Sequence, residues 1–375
     1  MRFSVQRDDF ARILSRAQGI VEKKSTIPVL SHLLLETAGN EEIKITCTDY
    51  DVVLMDRCKA RVETECKAVL SGKQLYDIVK VVPPGDIDLD KAVGERVEIR
   101  AGTSRYELSG FDPDDFPRIE KSESEPGFKV PIAAFRKVLA KVSFCMSFEE
   151  ARMNLNGVYF DVRKEDDGFS VTFVATDGHR LAKAAQLFPG AELPIENTGI
   201  IVHRKGITEI KKILDSETGD LFIGVRPDEL VFRVGNAGLF VRRIDESFPD
   251  YESVIPNAFV REFKADTREL TEAMRRVFPM ADPNLLTLKM EVRPETLRVS
   301  AANTTGGTAE TTLFADYDGD PFVVAFNHRY LGEALTSIES PQAVVRVTEP
   351  GSPCLVEPSD PEEKVAYVLM PVEET

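Results

Sequence analysis

The sequence carries one pattern three times, at a spacing of about 125–135 residues. Each repeat opens with a Phe-containing strand-like segment and continues with apolar residues at i, i+3, i+4 and i+7, the spacing of one helix face. These anchors are Phe10, Ile13, Leu14 and Ala17; Phe135, Val138, Leu139 and Val142; and Leu270, Ala273, Met274 and Val277. So long a period is that of a whole domain rather than of a solenoid repeat.

A second helix pattern recurs in every repeat. Its anchors are Leu75, Ile78, Val79 and Val82; Ile207, Ile210 and Leu214; and Leu331, Ala334, Leu335 and Ile338. Between the helices the sequence alternates as β-strands do, and one strand of each repeat ends at a turn-forming residue: Asp49, Asp177 or Asn303. The pattern predicts an α+β fold of three repeated domains, each with two helices and two antiparallel sheets, at residues 1–122, 128–253 and 258–375.

Composition limits the class of protein. Hydrophobic content of 42% and charged content of 29% are those of an ordinary globular protein, and the net charge is −16. No apolar run reaches the roughly 18 residues of a membrane span, and the N-terminus has no signal-peptide pattern. Five cysteines without a C-x-x-C pair argue against a disulfide framework or a zinc site, and favour a reducing cytoplasm.

Basic residues recur at equivalent places on the helices. Arg16, Lys141 and Arg276 each lie six residues after the first anchor of the first helix. Lys73, Lys205 and Arg329 each lie two residues before the first anchor of the second helix. In so acidic a chain, this recurrence favours a surface that receives nucleic acid phosphates without reading sequence. The alternative is that these are the solvated faces of amphipathic helices.

Catalytic motifs are scarce. We find no phosphate-binding G-x-x-x-x-G-K-[ST] loop and no H-E-x-x-H metal motif. Asp177 and His179 form the only short constellation that resembles a general-base pair. Because Asp177 has turn-forming counterparts that no histidine follows, we expect it to be a turn residue. A hydrolase using this pair stays an alternative. The same segment, with His179 and Arg180 exposed, is also a candidate binding surface.

Several motifs together resemble the bacterial sliding clamp, the beta subunit of DNA polymerase III. The residues that carry the resemblance are Thr176-Asp-Gly-His-Arg-Leu-Ala, Leu155-Asn-Gly, Phe248-Pro-Asp-Tyr, Phe326-Asn and Ala366-Tyr-Val-Leu-Met-Pro, supported by Pro28-Val-Leu-Ser-His-Leu-Leu-Leu. The resemblance spans the whole chain, including all three domain starts.

The resemblance implies a head-to-tail homodimer that closes a ring around duplex DNA, without sequence preference and without catalysis. It implies no cofactor and no metal. The partners would be the replicative polymerase alpha subunit, the clamp loader, and other DNA polymerases and repair proteins that carry short clamp-binding peptides. The protein would be cytoplasmic, nucleoid-associated during replication, with no membrane partner. An acidic protein–protein scaffold without DNA is the second hypothesis.

The resemblance also implies three sets of site residues. The peptide-binding pocket would comprise Leu155, Thr176, Gly178, His179, Arg180, Leu181, Pro249, Val254, Val368, Met370 and Pro371. Taken with the recurring bases, the DNA-facing residues would be Arg12, Arg16, Lys24, Lys73, Lys137, Lys141, Arg152, Arg204, Lys205, Arg275, Arg276 and Arg329. We expect the dimer interface to rest on Ile78 and Tyr106 against Val277 and Phe278.

The chain departs from the usual pattern of the family at four places. Met153-Asn154 precedes Leu-Asn-Gly where aromatic residues are familiar, and Ser253 stands where an arginine often lines the pocket. The chain ends with the acidic Glu373-Glu374, and the segment after Thr304 lacks acids often found at the dimer face. We therefore expect altered pocket specificity and a more apolar interface.

Overall fold

The computed structural model describes residues 2–21, 26–65, 67–91, 94–121, 125–189, 198–349 and 351–372. These residues include six α-helices, two in each repeat, as predicted. The helices are α1 (Arg7–Ala17), α2 (Gly72–Val81), α3 (Ile132–Val142), α4 (Arg204–Asp215), α5 (Thr267–Val277) and α6 (His328–Ser337). The predicted anchors form the buried face of each helix; only Ile78 stays partly exposed.

Antiparallel strands make up the rest of the fold. The first repeat holds β1 (Arg2–Gln6), β2 (His32–Ala38), β3 (Glu42–Thr48), β4 (Val52–Thr64), β5 (Lys67–Ser71), β6 (Asp86–Lys91), β7 (Arg96–Ala101) and β8 (Ser104–Ser109). The second holds β9 (Gly127–Pro131), β10 (Gly157–Glu165), β11 (Gly168–Thr176), β12 (Arg180–Phe188), β13 (Thr198–His203), β14 (Asp220–Val225), β15 (Glu229–Val234) and β16 (Ala237–Ile244). The third holds β17 (Arg261–Asp266), β18 (Thr287–Arg293), β19 (Thr296–Ala302), β20 (Thr308–Leu313), β21 (Phe322–Asn327), β22 (Gln342–Val347), β23 (Cys354–Pro358) and β24 (Val365–Leu369).

The chain divides into two compact units. Within the described ranges, the first comprises residues 2–133 and 205–243. Its long strand β4 pairs with three strands. Residues 52–55 pair with β16, residues 53–59 pair with β3, and residues 60–64 pair with β1. The order β4, β16, β15, β14, β9 continues on one side, and β1, β6, β7, β8 on the other. A strand of the first repeat thus joins a sheet of the second.

The second unit comprises residues 134–192, 196–204 and 244–375. Its larger sheet runs β13, β10, β11, β12, β24, β23, β22, β17, so that a strand of the second repeat joins a sheet of the third. The smaller sheet runs β20, β19, β18, β21. The pairing of β12 with β24 has the same place in this unit as the pairing of β4 with β16 in the first.

Side-chain caps explain where several helices begin. Asp266 accepts a hydrogen bond from the backbone N–H of Glu269 at 2.8 Å, and Asn327 accepts one from that of Arg329 at 2.9 Å. Such caps satisfy N–H groups that have no partner inside the helix. In both cases the preceding strand therefore passes directly into a helix.

The three predicted turn residues do form turns. Asp49 Oδ1 accepts from the backbone N–H of Asp51 and Val52, at 3.1 and 2.7 Å. Asp177 Oδ1 accepts from the N–H groups of the residues two and three positions later, at 3.0 and 3.1 Å. Asn303 Oδ1 accepts from two N–H groups of its own turn, at 3.1 and 2.8 Å. The predicted structural equivalence of these residues is confirmed.

Substitutions at Asp177 test the contribution of the turn. Asp177→Ala removes the backbone acceptor and the carboxylate that pairs with Arg180 at 3.0 Å, and should lower the free energy of unfolding by about 2–3 kcal/mol. Asp177→Asn keeps an acceptor for the turn and should lose about half as much. Urea unfolding measures both; equal losses would mean that the turn hydrogen bonds contribute nothing.

Candidate DNA-contact and peptide-contact surfaces

The basic residue of α1 is not a free cation. Arg16 is buried, donates to Asp56 at 2.9 Å and also pairs with Glu217. Burial raises the pKa of the Asp56 carboxyl, and the neighbouring guanidinium opposes that rise. Arg16 was predicted to face DNA. That prediction is wrong in this structure, because a buried and doubly paired guanidinium has no charge left for a phosphate.

The equivalent residue of α3 is held in the same way. Lys141 is buried, and its Nζ lies 2.5 Å from Glu363 and 3.6 Å from Glu339. Its predicted place among the DNA-facing cations is therefore also wrong. The recurring base of the first two repeats serves packing: Arg16 reaches an acid just after α4, and Lys141 reaches one just after α6.

The third equivalent residue behaves differently. Arg276 of α5 is exposed and forms no ion pair with any residue in the described ranges. Its neighbour Arg275 is exposed as well. Arg16 and Lys141 each pair with an acid of the next repeat along the chain, whereas Arg276 has no such pair within the described ranges.

The remaining predicted DNA-facing residues vary in exposure. Lys73, Lys137, Arg152 and Arg329 are exposed, and Arg12, Arg204 and Lys205 are half-buried; Lys24 lies outside the described residues. Lys205 pairs with Asp49, the turn residue of the first repeat. Arg204 lies over the ring of Phe148, 4.8 Å from its centroid. Phe148 is 71% exposed, and sequence reasoning missed it; an aromatic residue directly before two acids, Glu149 and Glu150, was the available signal.

Part of the predicted peptide pocket is an apolar floor. Leu181 of β12 and Val368 of β24 are paired across the two strands and buried in one cluster with Val174, Tyr251 and Leu355. Tyr251 donates to Asp161 at 3.0 Å, which fixes its ring. Sequence reasoning missed Tyr251 and Leu355 as parts of this floor, although the Phe-Pro-Asp-Tyr motif that contains Tyr251 and the apolar strand that contains Leu355 were visible.

Other predicted pocket residues surround this floor or stay apart from it. Gly178, His179, Pro249, Val254 and Met370 are exposed, Thr176 and Pro371 are half-buried, and Leu155 is buried. The backbone N–H of Met370 donates to the carbonyl of His179 at 3.0 Å, which joins two of the exposed members. Met370 is 40% exposed and lies next to the exposed His179. The two residues form an accessible rim beside the buried apolar floor.

Arg180 is not exposed, contrary to the sequence-based prediction. Its guanidinium pairs with Asp177 and Glu333, donates to the Phe144 carbonyl at 2.7 Å and lies 4.4 Å from the Tyr330 ring centroid. Only 4% of the residue is accessible. Three hydrogen bonds and a ring contact hold the Arg180 guanidinium beneath the turn, so it supports the turn and offers no charge to a ligand.

The Asp177 carboxylate is committed to the turn. One oxygen accepts from two backbone N–H groups and the other from Arg180 Nε at 3.0 Å. The His179 ring faces Tyr330 instead, with ring centroids 6.5 Å apart. The geometry thus gives Asp177 the structural role that the repeat predicts, rather than that of a general base.

One predicted interface residue is inaccessible. Val277 is 1% exposed and packs inside its own domain, so its predicted role at a dimer surface is wrong for this conformation. Its neighbour Phe278 is partly exposed and stacks on His328, with centroids 3.8 Å apart. Ile78 and Tyr106 are also partly exposed, and their role stays a prediction.

Family models match all three repeats in order. The N-terminal domain of the DNA polymerase III beta subunit matches residues 1–120, the central domain residues 129–250 and the C-terminal domain residues 252–373. The chain belongs to the beta sliding clamp family. The predicted family and fold class are confirmed, and membership places the chain among the processivity clamps of DNA replication.

Relatives match this clamp chain along its full length. The beta sliding clamp of Caulobacter vibrioides is 33% identical over 375 residues, covering 99% of this chain and 100% of the relative. That of Escherichia coli K12 is 28% identical over 373 residues, with the same shares covered.

Solved structures agree. The Caulobacter crescentus clamp, with a polyethylene glycol bound, superposes with a TM-score of 0.92 at 32% identity, covering 100% and 99% of the two chains. The Bartonella birtlesii clamp bound to griselimycin gives 0.93 at 28% identity, with both chains fully covered.

Two further observations concern the described part of this clamp chain. None of its helices is long and apolar enough to cross a membrane. No group of three or more His, Cys, Asp or Glu side chains within the described ranges is arranged to hold a metal ion.

The buried pair at Lys141 leads to a pH-dependent prediction. Burial acts to raise the pKa of Glu363, but hydrogen bonds from Lys141 and from the N–H groups of Glu339 and Ser340 outweigh it, so the pKa lies below its usual 4.5. The ionised carboxylate therefore adds stability above that value, which is lost as pH falls through the lower, folded-state pKa.

We expect Glu363→Gln to lower the free energy of unfolding by about 3 kcal/mol at pH 7, because Lys141 keeps a buried charge with a weaker partner. The difference from the unsubstituted chain should shrink below about pH 4.5. Urea unfolding across pH measures it. Glu362→Gln, at an exposed neighbour, is the control and should change little. A pH-independent difference would contradict the assignment.

Proposed function

We propose that this chain forms a head-to-tail homodimer that closes into a ring around duplex DNA and tethers DNA polymerase to it. Its membership of the clamp family over all three domains is the observation that carries the proposal. The chain would act without catalysis of its own, and would be opened and closed by a separate clamp loader. Its place would be the cytoplasm, on the nucleoid during replication.

The charge distribution supports a DNA-encircling role. A net charge of −16 repels DNA from most of the surface. The exposed helix cations that we assign to phosphates are Lys73, Lys137, Arg275, Arg276 and Arg329. Lys137 and Arg329 also pair with Glu339 and Glu333 at the protein surface. Because Arg16 and Lys141 form buried ion pairs within the chain, fewer cations are accessible to DNA than the repeat predicts. Such contacts hold a duplex without reading its sequence.

The apolar floor beneath His179 and Met370 supports a peptide-docking role. The polymerase alpha subunit, other DNA polymerases, repair proteins and the clamp loader would insert apolar and aromatic side chains of short clamp-binding peptides there. Leu181 and Val368 would form the base, and the exposed Pro249, Val254 and Met370 the rim. The neighbouring Ser253 donates to the Asp250 carbonyl at 2.8 Å, so this position adds no charge to the rim.

DNA retention tests the cation assignment. Arg275→Gln with Arg276→Gln should shorten residence on primed circular DNA several-fold and reduce the salt dependence, because two phosphate contacts are removed. Lys59→Gln with Arg61→Gln, an equal charge change at exposed positions of β4, should leave residence nearly unchanged. Equal effects of the two double variants would point to net charge rather than to the α5 contacts.

Peptide binding tests the docking site. A fluorescein-labelled Gln-Leu-x-Leu-Phe-type peptide should bind saturably by anisotropy, and Met370→Ala should weaken binding about tenfold by removing an apolar wall. Met280→Ala is the matched control, since both methionines are 40% exposed. Unchanged affinity in the Met370 variant would exclude this rim as the peptide contact.

A further inference from the structure

The first compact unit contains a groove that repeats the geometry of the proposed peptide floor. Val53 lies four residues after the turn residue Asp49, as Leu181 lies four residues after Asp177. Val53 pairs with Phe240 across β4 and β16, just as Leu181 pairs with Val368 across β12 and β24. The same cross-strand contact is therefore built twice in the chain.

The correspondence extends to the neighbouring strands. Phe240 pairs with Val231 on β15, and Val368 pairs with Leu355 on β23. Val53, Val231 and Phe240 form a buried cluster, with Met55 and Ile119 packed against it. Ile119 lies three residues after Phe116, as Tyr251 lies three residues after Phe248 in the two related Phe-Pro segments. The backbone and the apolar positions are thus shared, while the side chains differ.

A cavity of about 750 Å³ opens over this second cluster. Met55, Ile119 and Phe240 line its apolar part. Its polar lining contains four cations, Lys44, Arg57, Lys121 and Arg233, against one carboxylate, Glu120. In a chain with a net charge of −16, a cavity with this balance is an electrostatic exception.

Two of these cations, Lys121 and Arg233, pair with acids that are more deeply buried than they are. The side chains of Glu125 and Glu229 are 1% and 8% exposed, whereas those of Lys121 and Arg233 are 19% and 27% exposed. Burial acts to raise the pKa of Glu125, but hydrogen bonds from Arg233 and Arg226 outweigh it and hold the carboxyl ionised. Lys121 and Arg233 also lie over the Phe240 ring, each 5.3 Å from its centroid. Buried acids and the Phe240 ring therefore hold Lys121 and Arg233 in place where they line the cavity.

We infer that this groove is a second docking site, which binds an acidic peptide segment of a partner protein. The peptide would insert one apolar side chain into the groove, and the carboxylates on either side of that side chain would meet the cations. The apolar floor receives the anchor, and the four cations meet the acids. Lys44 and Arg57 pair across the adjacent strands β3 and β4 and form one edge of the groove. Among the described residues, the proposed peptide floor has no such pair of cations. The site depends neither on DNA nor on ring closure.

The test uses the full chain and a fluorescein-labelled peptide, Glu-Asp-Trp-Glu-Asp, followed by anisotropy. Binding should be saturable and weaken with salt, and the neutral peptide Gln-Asn-Trp-Gln-Asn should bind at least about tenfold more weakly. Lys44→Gln with Arg57→Gln should also raise Kd about tenfold. Lys59→Gln with Arg61→Gln makes the same charge change on exposed residues of β4 outside the cavity, and should leave Kd unchanged.

Two further arms separate this site from the others. Met370→Ala should leave acidic-peptide binding intact, so that failure of the proposed peptide floor and failure of this groove are distinguishable. Equal binding of acidic and neutral peptides, or equal losses in the two double variants, would overturn the inference. The inference would also be overturned if the acidic peptide did not bind but a labelled oligo(dT) did, and if the Lys44/Arg57 variant lost that oligo(dT) binding. Circular dichroism of each variant verifies folding.

Discussion

Backbone hydrogen bonding between repeats is the constraint on which the rest of this structure depends. In each compact unit, the strand that follows an Asp turn pairs with the last strand of the next repeat: β4 with β16, and β12 with β24. Backbone N–H and C=O groups must be paired when buried, so neither repeat can end its sheet at this edge without a partner. Both candidate docking surfaces lie on these joins because the joins bring side chains from distant parts of the chain onto one sheet face.

Buried ion pairs of Arg16 and Lys141 stabilise helices α1 and α3. Arg16 and Lys141 each reach an acid that follows the second helix of another repeat. Removing one partner of such a pair leaves an uncompensated buried charge, which makes the pairs costly to disrupt. The third repeat leaves Arg276 exposed instead. One position in the repeat therefore performs a structural task twice, and the third time remains available for an external partner.

The sequence predicts the repeat, the six helices, their buried faces and the three turn residues, because these depend on local periodicity and on short-range hydrogen bonding. It fails at Arg16, Lys141 and Arg180, which are predicted to be exposed and are buried. Their acidic partners Glu217, Glu363 and Glu333 are distant in sequence, and no local pattern identifies them. Leu355 is missed at the docking floor for the same reason, since strand pairing brings it to Val368, and Tyr251 is missed because its loop reaches the cluster only in the folded chain.

The shared register of the two joins has a chemical consequence. Main-chain pairing holds β4 against β16 whichever side chains they carry, so substitutions on the outer face do not endanger the join. Val368 and Phe240 occupy the same place in the two copies, yet one lies in an aromatic and aliphatic patch and the other under a group of cations. Because main-chain pairing sets both joins, the two copies can carry different side chains, and so offer different chemistry to a ligand, on one shared architecture.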